Sequence, residues 1–295
     1  MIICKLQGGL GNQMFQWALS KKISNTTGKK ILFDTSRLYD HTEVKGHTTR
    51  DLDLGVFNIE LDLIENKEID WELSKNFNHI KEPRYTDHIE HRRFFSSLES
   101  SMNRAMDVSE GDSTIYLDGH WQKHYLIDGM ESYFEFKDKS KSDLHKEIEK
   151  SQISCCINIR RGDYLTNYKD FFHQLTIKNY FAPAIEYMEK VTEGNIHFYI
   201  FSDDIEWCKE NICILDAKGN KKFTIVEHTE KGDKFSKYLE MMSCCKSFII
   251  PNSSFAYMAA FLKRDRDKIV IAPKNWFKDP KINDYGLIPE KWIRM

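Results

Sequence analysis

Residues 157–165 read INIRRGDYL: an apolar run, then Arg160 and Arg161, a glycine and Asp163. A guanidinium is planar, permanently charged and able to bond two phosphate oxygens at once, so two of them behind a buried strand suit a pyrophosphate. A surface Arg–Asp pair on a loop is the plainer alternative. The run FYIFSDD ends in Asp203 and Asp204, carboxylates that can accept from a nucleobase or ribose, or cap the helix that follows. The run FIIPNSSFAYMAAF carries Asn252, Ser253 and Ser254 in front of a helix, where hydroxyls and unpaired amides can hold phosphate oxygens. Asn and Ser are equally ordinary caps. A plainer role explains each cluster alone, a surface pair for the first and capping for the other two; three of them at successive strand ends of one domain point to a nucleotide diphosphate.

Strands must carry these clusters, and short apolar runs bounded by polar residues supply them. MIICKL at the start, KKILFD (29–34), STIYLD (113–118), ISCCINI (153–159), IHFYIF (196–201), FTIV (223–226), KSFII (246–250) and KIVIA (268–272) read as buried parallel strands. Helical spacing fills Asn12–Asn25, Ile177–Val191, Ile205–Asn211, Phe235–Cys244 and Phe255–Lys263, so the fold class is α/β. The first strand ends in a bare turn, GGLGNQ, in which Gly8, Gly9 and Gly11 allow a tight corner or a close approach to the main chain.

With 295 residues, 43 Lys and Arg against 45 Asp and Glu, the chain is long enough for two domains and has no global field to recruit nucleic acid or an anionic membrane. Seven cysteines without zinc-like spacing suggest buried, reduced thiols in a cytosol. The chain opens directly on a strand, and no run approaches the ~18 apolar residues of a spanning helix. The expected location is cytoplasmic, with peripheral contact at the inner membrane left open.

The charge-rich segment 135–152 reads as a solvated connection plus a surface helix and sets the expected boundary: 1–150 as an N-terminal acceptor-side domain, 151–295 as a C-terminal nucleotide-binding domain, with the last helix able to pack back on the first. The second part has the size and alternation of a mononucleotide-binding unit. The irregular stretch 35–112 is expected to shape the acceptor site.

In this order, GGLGNQMFQWA, IRRGDY, FSDD and NSSFAYMAA resemble the alpha-1,2-fucosyltransferases of glycosyltransferase family eleven, bacterial type; DGHWQKHYL (118–126) and APKNWF (272–277) extend the resemblance along the chain. It implies the two-domain GT-B fold, Rossmann-like domains facing a cleft, and a GDP-fucose donor held mainly by the C-terminal domain. Arg160 and Arg161 match the arginines of an HxRRxD motif that neutralise the departing diphosphate, and Asp163 would orient their loop. Asn158, Asp203, Asp204, Asn252, Ser253, Ser254 and Phe255 would line the donor site, with Gly9, Gly11, Asn12 and Gln13 facing it from the N-terminal domain. The implied partners are a GDP-sugar and a galactose-containing oligosaccharide or lipid-linked acceptor, without nucleic acid and without a transmembrane segment.

Two departures bear on the donor sugar. Asn158 stands where the family has His, an amide in place of a titratable ring, and Ser254-Phe255-Ala256-Tyr257-Met258 replaces S-F-S-W-W. Another GDP-deoxyhexose such as GDP-colitose is therefore an alternative donor. The expected reaction is a single inverting displacement in which arginines replace a metal; no D-x-D motif stands at a suitable strand end, and no cofactor is expected. The general base stays open among Asp34, Asp118, His120 and His124. A rival from another class, an NAD-dependent oxidoreductase, rests on Gly9-Leu10-Gly11 with Asp34 ending the next strand, but Met14 occupies the place of the third glycine. A non-catalytic nucleotide-binding protein is the third reading.

Overall fold

A computed structural model describes residues 1–39, 50–64, 77–82, 114–193, 196–229, 234–280, 282 and 284–295. Most of the stretch assigned above to acceptor choice lies outside these residues. The chain divides into two compact units, Met1–Glu135 with Lys281–Leu287, and Phe136–Pro280 with Ile288–Met295.

The first unit is built on a four-stranded sheet: β1 (Ile2–Lys5), β2 (Ile31–Asp34), β3 (Asn78–Lys81) and β4 (Ile115–Asp118), ordered β2-β1-β4-β3 and parallel throughout. β1 lies in the middle, with Ile3 opposite Leu32 on one side and Tyr116 on the other, which is why its residues Ile2 to Cys4 are all apolar and fully buried. Helix α1 (Leu10–Thr27) follows it directly and buries Met14, Phe15, Ala18 and Leu19. The sequence pattern missed β3, because Asn-His-Ile-Lys has one apolar residue and sits at an edge where only Ile80 is buried.

The second unit holds β5 (Ser154–Ile159), β6 (His197–Ser202), β7 (Phe223–Ile225), β8 (Ser247–Ile249), β9 (Val270–Ala272) and β10 (Ile293–Arg294), in the order β10-β9-β8-β5-β6-β7, again all parallel. Counted from β5, this is the doubly wound nucleotide-binding order 3-2-1-4-5-6. The strand order reverses between β5 and β8, and ligands of such sheets bind outside the carboxyl ends at that point. Helices α2 (Asp143–Lys150), α3 (Ala182–Val191), α4 (Ile205–Asn211), α5 (Lys234–Cys244) and α6 (Ser254–Leu262) complete the unit, α3 being led in by a π turn at Ile177–Phe181. Cys155, Ile157, Ile159, Phe198, Ile200, Ile249 and Ile271 form its core with Ala184 and Met188 of α3.

The boundary expected at residue 150 falls earlier, at Glu135. Buried Lys237 of α5 explains the shift: its ammonium bonds the Ser140 carbonyl at 2.6 Å and Asp138 at 2.8 Å, binding the charged segment to the second unit, and buried His145 of α2 faces Cys244 at 3.5 Å. The segment that returns to the first unit is Lys281–Leu287; its residues 285–287 are turn, and the chain then ends in β10 of the second. All seven cysteines are free; Cys4, Cys155, Cys156, Cys208 and Cys245 are buried.

Candidate active site

The loop after β5 brings Arg160, Arg161 and Asp163 to the carboxyl edge of the second sheet at its switch point. Arg160 is held by two carboxylates. Its Nε and Nη2 donate to Asp163 Oδ1 at 3.1 and 2.8 Å, and its Nη1 lies 2.9 Å from Asp203 Oδ2. The guanidinium also faces the Tyr164 ring at 5.7 Å. Arg161 donates its backbone N–H to Asp203 Oδ1 at 2.8 Å and its Nε to Asp204 Oδ2 at 3.0 Å, and its guanidinium carbon lies 3.9 Å from the centroid of the Trp207 ring. Gly162 lies so close to Asp203 that a Cβ there would sit 2.7 Å from Oδ2.

Two guanidiniums thus meet three carboxylates, all on loops at strand ends. Asp163 holds Arg160 within the same loop. Asp203 and Asp204 leave β6 and shape the arginine loop from the neighbouring strand. For Asp204 the choice between cap and ligand dissolves, because Oδ1 accepts the Trp207 amide at 3.2 Å as the N-cap of α4 while Oδ2 takes Arg161. Asn158, half-buried, donates its amide to the Phe201 carbonyl at 3.2 Å and ties β5 to β6 just behind the arginines.

After β8, Asn252 is buried and donates both amide hydrogens to main chain, to His173 O at 2.9 Å and Trp276 O at 2.8 Å. This fixes the loop. Tyr164 completes the brace, its hydroxyl donating to the Asn252 carbonyl at 2.7 Å; burial, first, and the carboxylates of Asp163 and Asp203 push that phenol well above its ordinary range, against the pull of Arg160. Ser253 stands at the N-cap of α6 without a side-chain capping bond, so the amides of Ser254 and Phe255 open the helix with no side-chain partner at the cap. Strand end and helix N-terminus therefore present fixed N–H groups beside the switch point, an arrangement suited to phosphate oxygens.

The glycine turn of the first unit has a different construction. Only Gly8 needs to be glycine for its backbone, with φ at +75°, and a Cβ there would meet Asn12 Nδ2 at 2.2 Å. Gly9 is the extended N-cap of α1 and Gly11 is buried inside the helix. Gln13 is wholly buried, donating to Gly8 O and Asp51 O at 2.8 Å each and accepting from Asp53 N at 3.0 Å, which locks the turn to the segment near residue 51. Asn12 Oδ1 accepts from Gln122 at 2.5 Å.

Of the four residues considered for a general base, Asp34 is buried and taken at both oxygens, by the Tyr116 hydroxyl at 2.5 Å and Ser36 N at 2.9 Å. Asp118 pairs with Lys5 at 3.5 Å. His120 gives its backbone amide to Glu82 Oε2 at 2.7 Å, and His124 gives its own to Gly286 O at 2.7 Å. The sequence reading missed three residues. Trp207, half-buried over Arg161, carried one legible signal, an aromatic three places after a capping Asp. Glu82 and Lys123 are buried beside the β4 loop, and a run of mixed polarity gave no sign of them. Burial pushes the Glu82 carboxyl up; burial also lowers the Lys123 ammonium to about 8 against the opposing pull of Glu82 and Asp284.

The chain matches the family model described as glycosyl transferase family 11 over residues 1–295. It is 28% identical over 309 residues to an Escherichia coli protein named alpha-1,2-colitosyltransferase, covering 100% of this chain and 99% of that one. It is also 28% identical over 320 residues to the Escherichia coli O-antigen biosynthesis glycosyltransferase WbnK, with 98% and 99% covered. Among solved structures, a glycosyl transferase of family 9 from Veillonella parvula covers 100% of this chain and 86% of its own at a TM-score of 0.50 and 10% identity, a likeness of fold alone. The fold is α/β of GT-B type, two Rossmann-like units.

Proposed function

The chain belongs to glycosyl transferase family 11, and from that footing we propose that it moves L-fucose from GDP-β-L-fucose to the 2-hydroxyl of a galactoside with inversion at the anomeric carbon. The observation that carries this reading is the pair Arg160 and Arg161 at the switch point of a doubly wound sheet, braced by Asp163, Asp203 and Asp204. The acceptor oxygen attacks C1, the bond from C1 to the diphosphate oxygen breaks, GDP leaves, and the acceptor proton passes to a base on the acceptor side. Negative charge grows on the diphosphate as it departs, so cations already fixed there favour the transition state over the ground state. The α6 N-terminus with Ser253, Ser254 and Phe255 adds amide donors to the same oxygens. With two fixed guanidiniums supplying the charge, the reaction is proposed to need no metal.

A second reading, GDP-colitose as donor, is favoured by the name of one relative and by the amide of Asn158 and the side chains of Tyr257 and Met258 where the family resemblance has His and two Trp. Both donors leave the same GDP, so the diphosphate site serves either. The acceptor is proposed to be a galactose-containing oligosaccharide or lipid-linked glycan, met in the cytoplasm or at the inner membrane. Among the described residues no helix is long and apolar enough to cross a membrane.

GDP release from GDP-fucose and from GDP-colitose, with and without galactose-terminated acceptors and with EDTA present, tests the proposal, beside an Arg161→Ala control. Acceptor-dependent release that survives EDTA and vanishes in the variant is the expected result. A requirement for added divalent ion would reject the metal-free mechanism, and NAD(H) binding in place of GDP would reject the transferase.

A further inference from the structure

We infer that Trp207 is a positioning residue for Arg161, fixing the plane of its guanidinium so that the two Nη groups meet the donor diphosphate. This rests on the proposed reading of Arg161 as a diphosphate contact. Asp204 and Trp207 stand three residues apart on the first turn of α4, and the one carboxylate links them: Oδ1 accepts the Trp207 amide while Oδ2 accepts Arg161 Nε at 3.0 Å. That spacing puts the indole over the guanidinium, whose carbon lies 3.9 Å from the ring centroid. Stacking uses the flat face of the guanidinium and leaves its N–H groups in the plane, pointing past the ring edge. Nε being taken by Asp204, the in-plane donors that remain are Nη1 and Nη2, which make no hydrogen bond among the described residues.

The two arginines are held by different means. Arg160 is fixed by hydrogen bonds and an ion pair to two carboxylates and stands 5.7 Å from its nearest facing ring. Arg161 has a single side-chain bond among the described residues, about which its guanidinium would otherwise swing, and the indole removes that freedom before any ligand arrives. Trp207 itself is anchored, since the same side chain packs against the apolar core of the second unit that contains Cys208 and Ile212.

The test uses the whole chain as Trp207→Ala, Trp207→Phe, Arg161→Ala and the Trp207→Ala/Arg161→Ala double variant. In the ligand-free protein, the ring-current shift of the Arg161 Nε–H resonance is expected to disappear in Trp207→Ala. Calorimetry with GDP is expected to show affinity about 10-fold weaker in Trp207→Ala and within about 3-fold of wild type in Trp207→Phe. In the Arg161→Ala background the Trp207→Ala loss is expected to vanish. An unmoved Nε–H resonance, or a Trp207→Ala loss of the same size with and without Arg161, would overturn the inference. Failure of wild type to bind GDP would instead reject the functional reading, and the resonance still decides the stacking.

Discussion

Asp203 Oδ2 lies 2.9 Å from Arg160 Nη1 while its Oδ1 accepts the Arg161 amide at 2.8 Å, so one carboxylate from β6 sets the side chain of one arginine and the main chain of the next. Asp203→Asn keeps the size and removes the charge. Each lost charge-assisted bond is worth about 1.5–3 kcal/mol, so transfer kcat/KM is expected to fall ~10- to 100-fold with the far-ultraviolet circular dichroism unchanged. Full activity in that variant would show that the loop needs no brace from β6.

Gly162→Ala places a methyl 2.7 Å from Asp203 Oδ2 and forces that carboxylate to move. The expected result is a loss of transfer rate similar to that of Asp203→Asn, and, because both act on one contact, a double variant little worse than either. Additive losses would place the effect of Gly162 elsewhere.

Asp34→Asn separates a structural carboxylate from a catalytic one. With Tyr116 and Ser36 on its two oxygens, Asp34 is bound into the first unit, and the substitution is expected to lower stability by about 1.5–3 kcal/mol, read by urea denaturation, with kcat retained. A variant that is stable and inactive would return Asp34 to the list of bases.

Lys123 gives a pH signature with a defined sign. Its folded value, about 8, lies below its ordinary 10.5, so between these the unfolded chain holds more protons and stability rises with pH by about 3 kcal/mol. Lys123→Met is expected to lack that rise in denaturation curves taken from pH 8 to 10.5. Glu82 acts with the opposite sign: its raised value makes its contribution fall as pH climbs above 4.5. A parallel pair of curves for wild type and Lys123→Met would contradict the assignment.

Central parallel strands were the most legible part of the fold, because burial on both faces demands the continuous apolar runs seen in β1, β5 and β6. Arg160, Arg161 and Asp163 were legible for the same reason: charged residues that end such a run must lie at the sheet's carboxyl edge. What the sequence hid was pairing. Nothing in SDD says that Asp203 serves two arginines and Asp204 both a helix and a guanidinium, because those contacts join residues about forty positions apart. Gln13 and Asn252, read as ligand contacts by their place in motifs, hold main chain in the structure, a use of an amide that only the neighbouring backbone groups reveal. β3 and β10 escaped because an edge strand needs little apolar surface.

The bond from Lys123 Nζ to the Tyr285 carbonyl, at 2.8 Å, bears on the order in which the polypeptide is made. A ribosome releases the first unit's sheet and α1 early, yet the carbonyl that receives this buried ammonium emerges 162 residues later, after nearly all of the second unit. The contacts of the first unit are therefore complete only once nearly all of the second has been made, in contrast to chains whose domains close one after another. Truncation before Tyr285 takes the acceptor of Lys123 from the first unit and β10 from the second, so one short stretch of chain serves both.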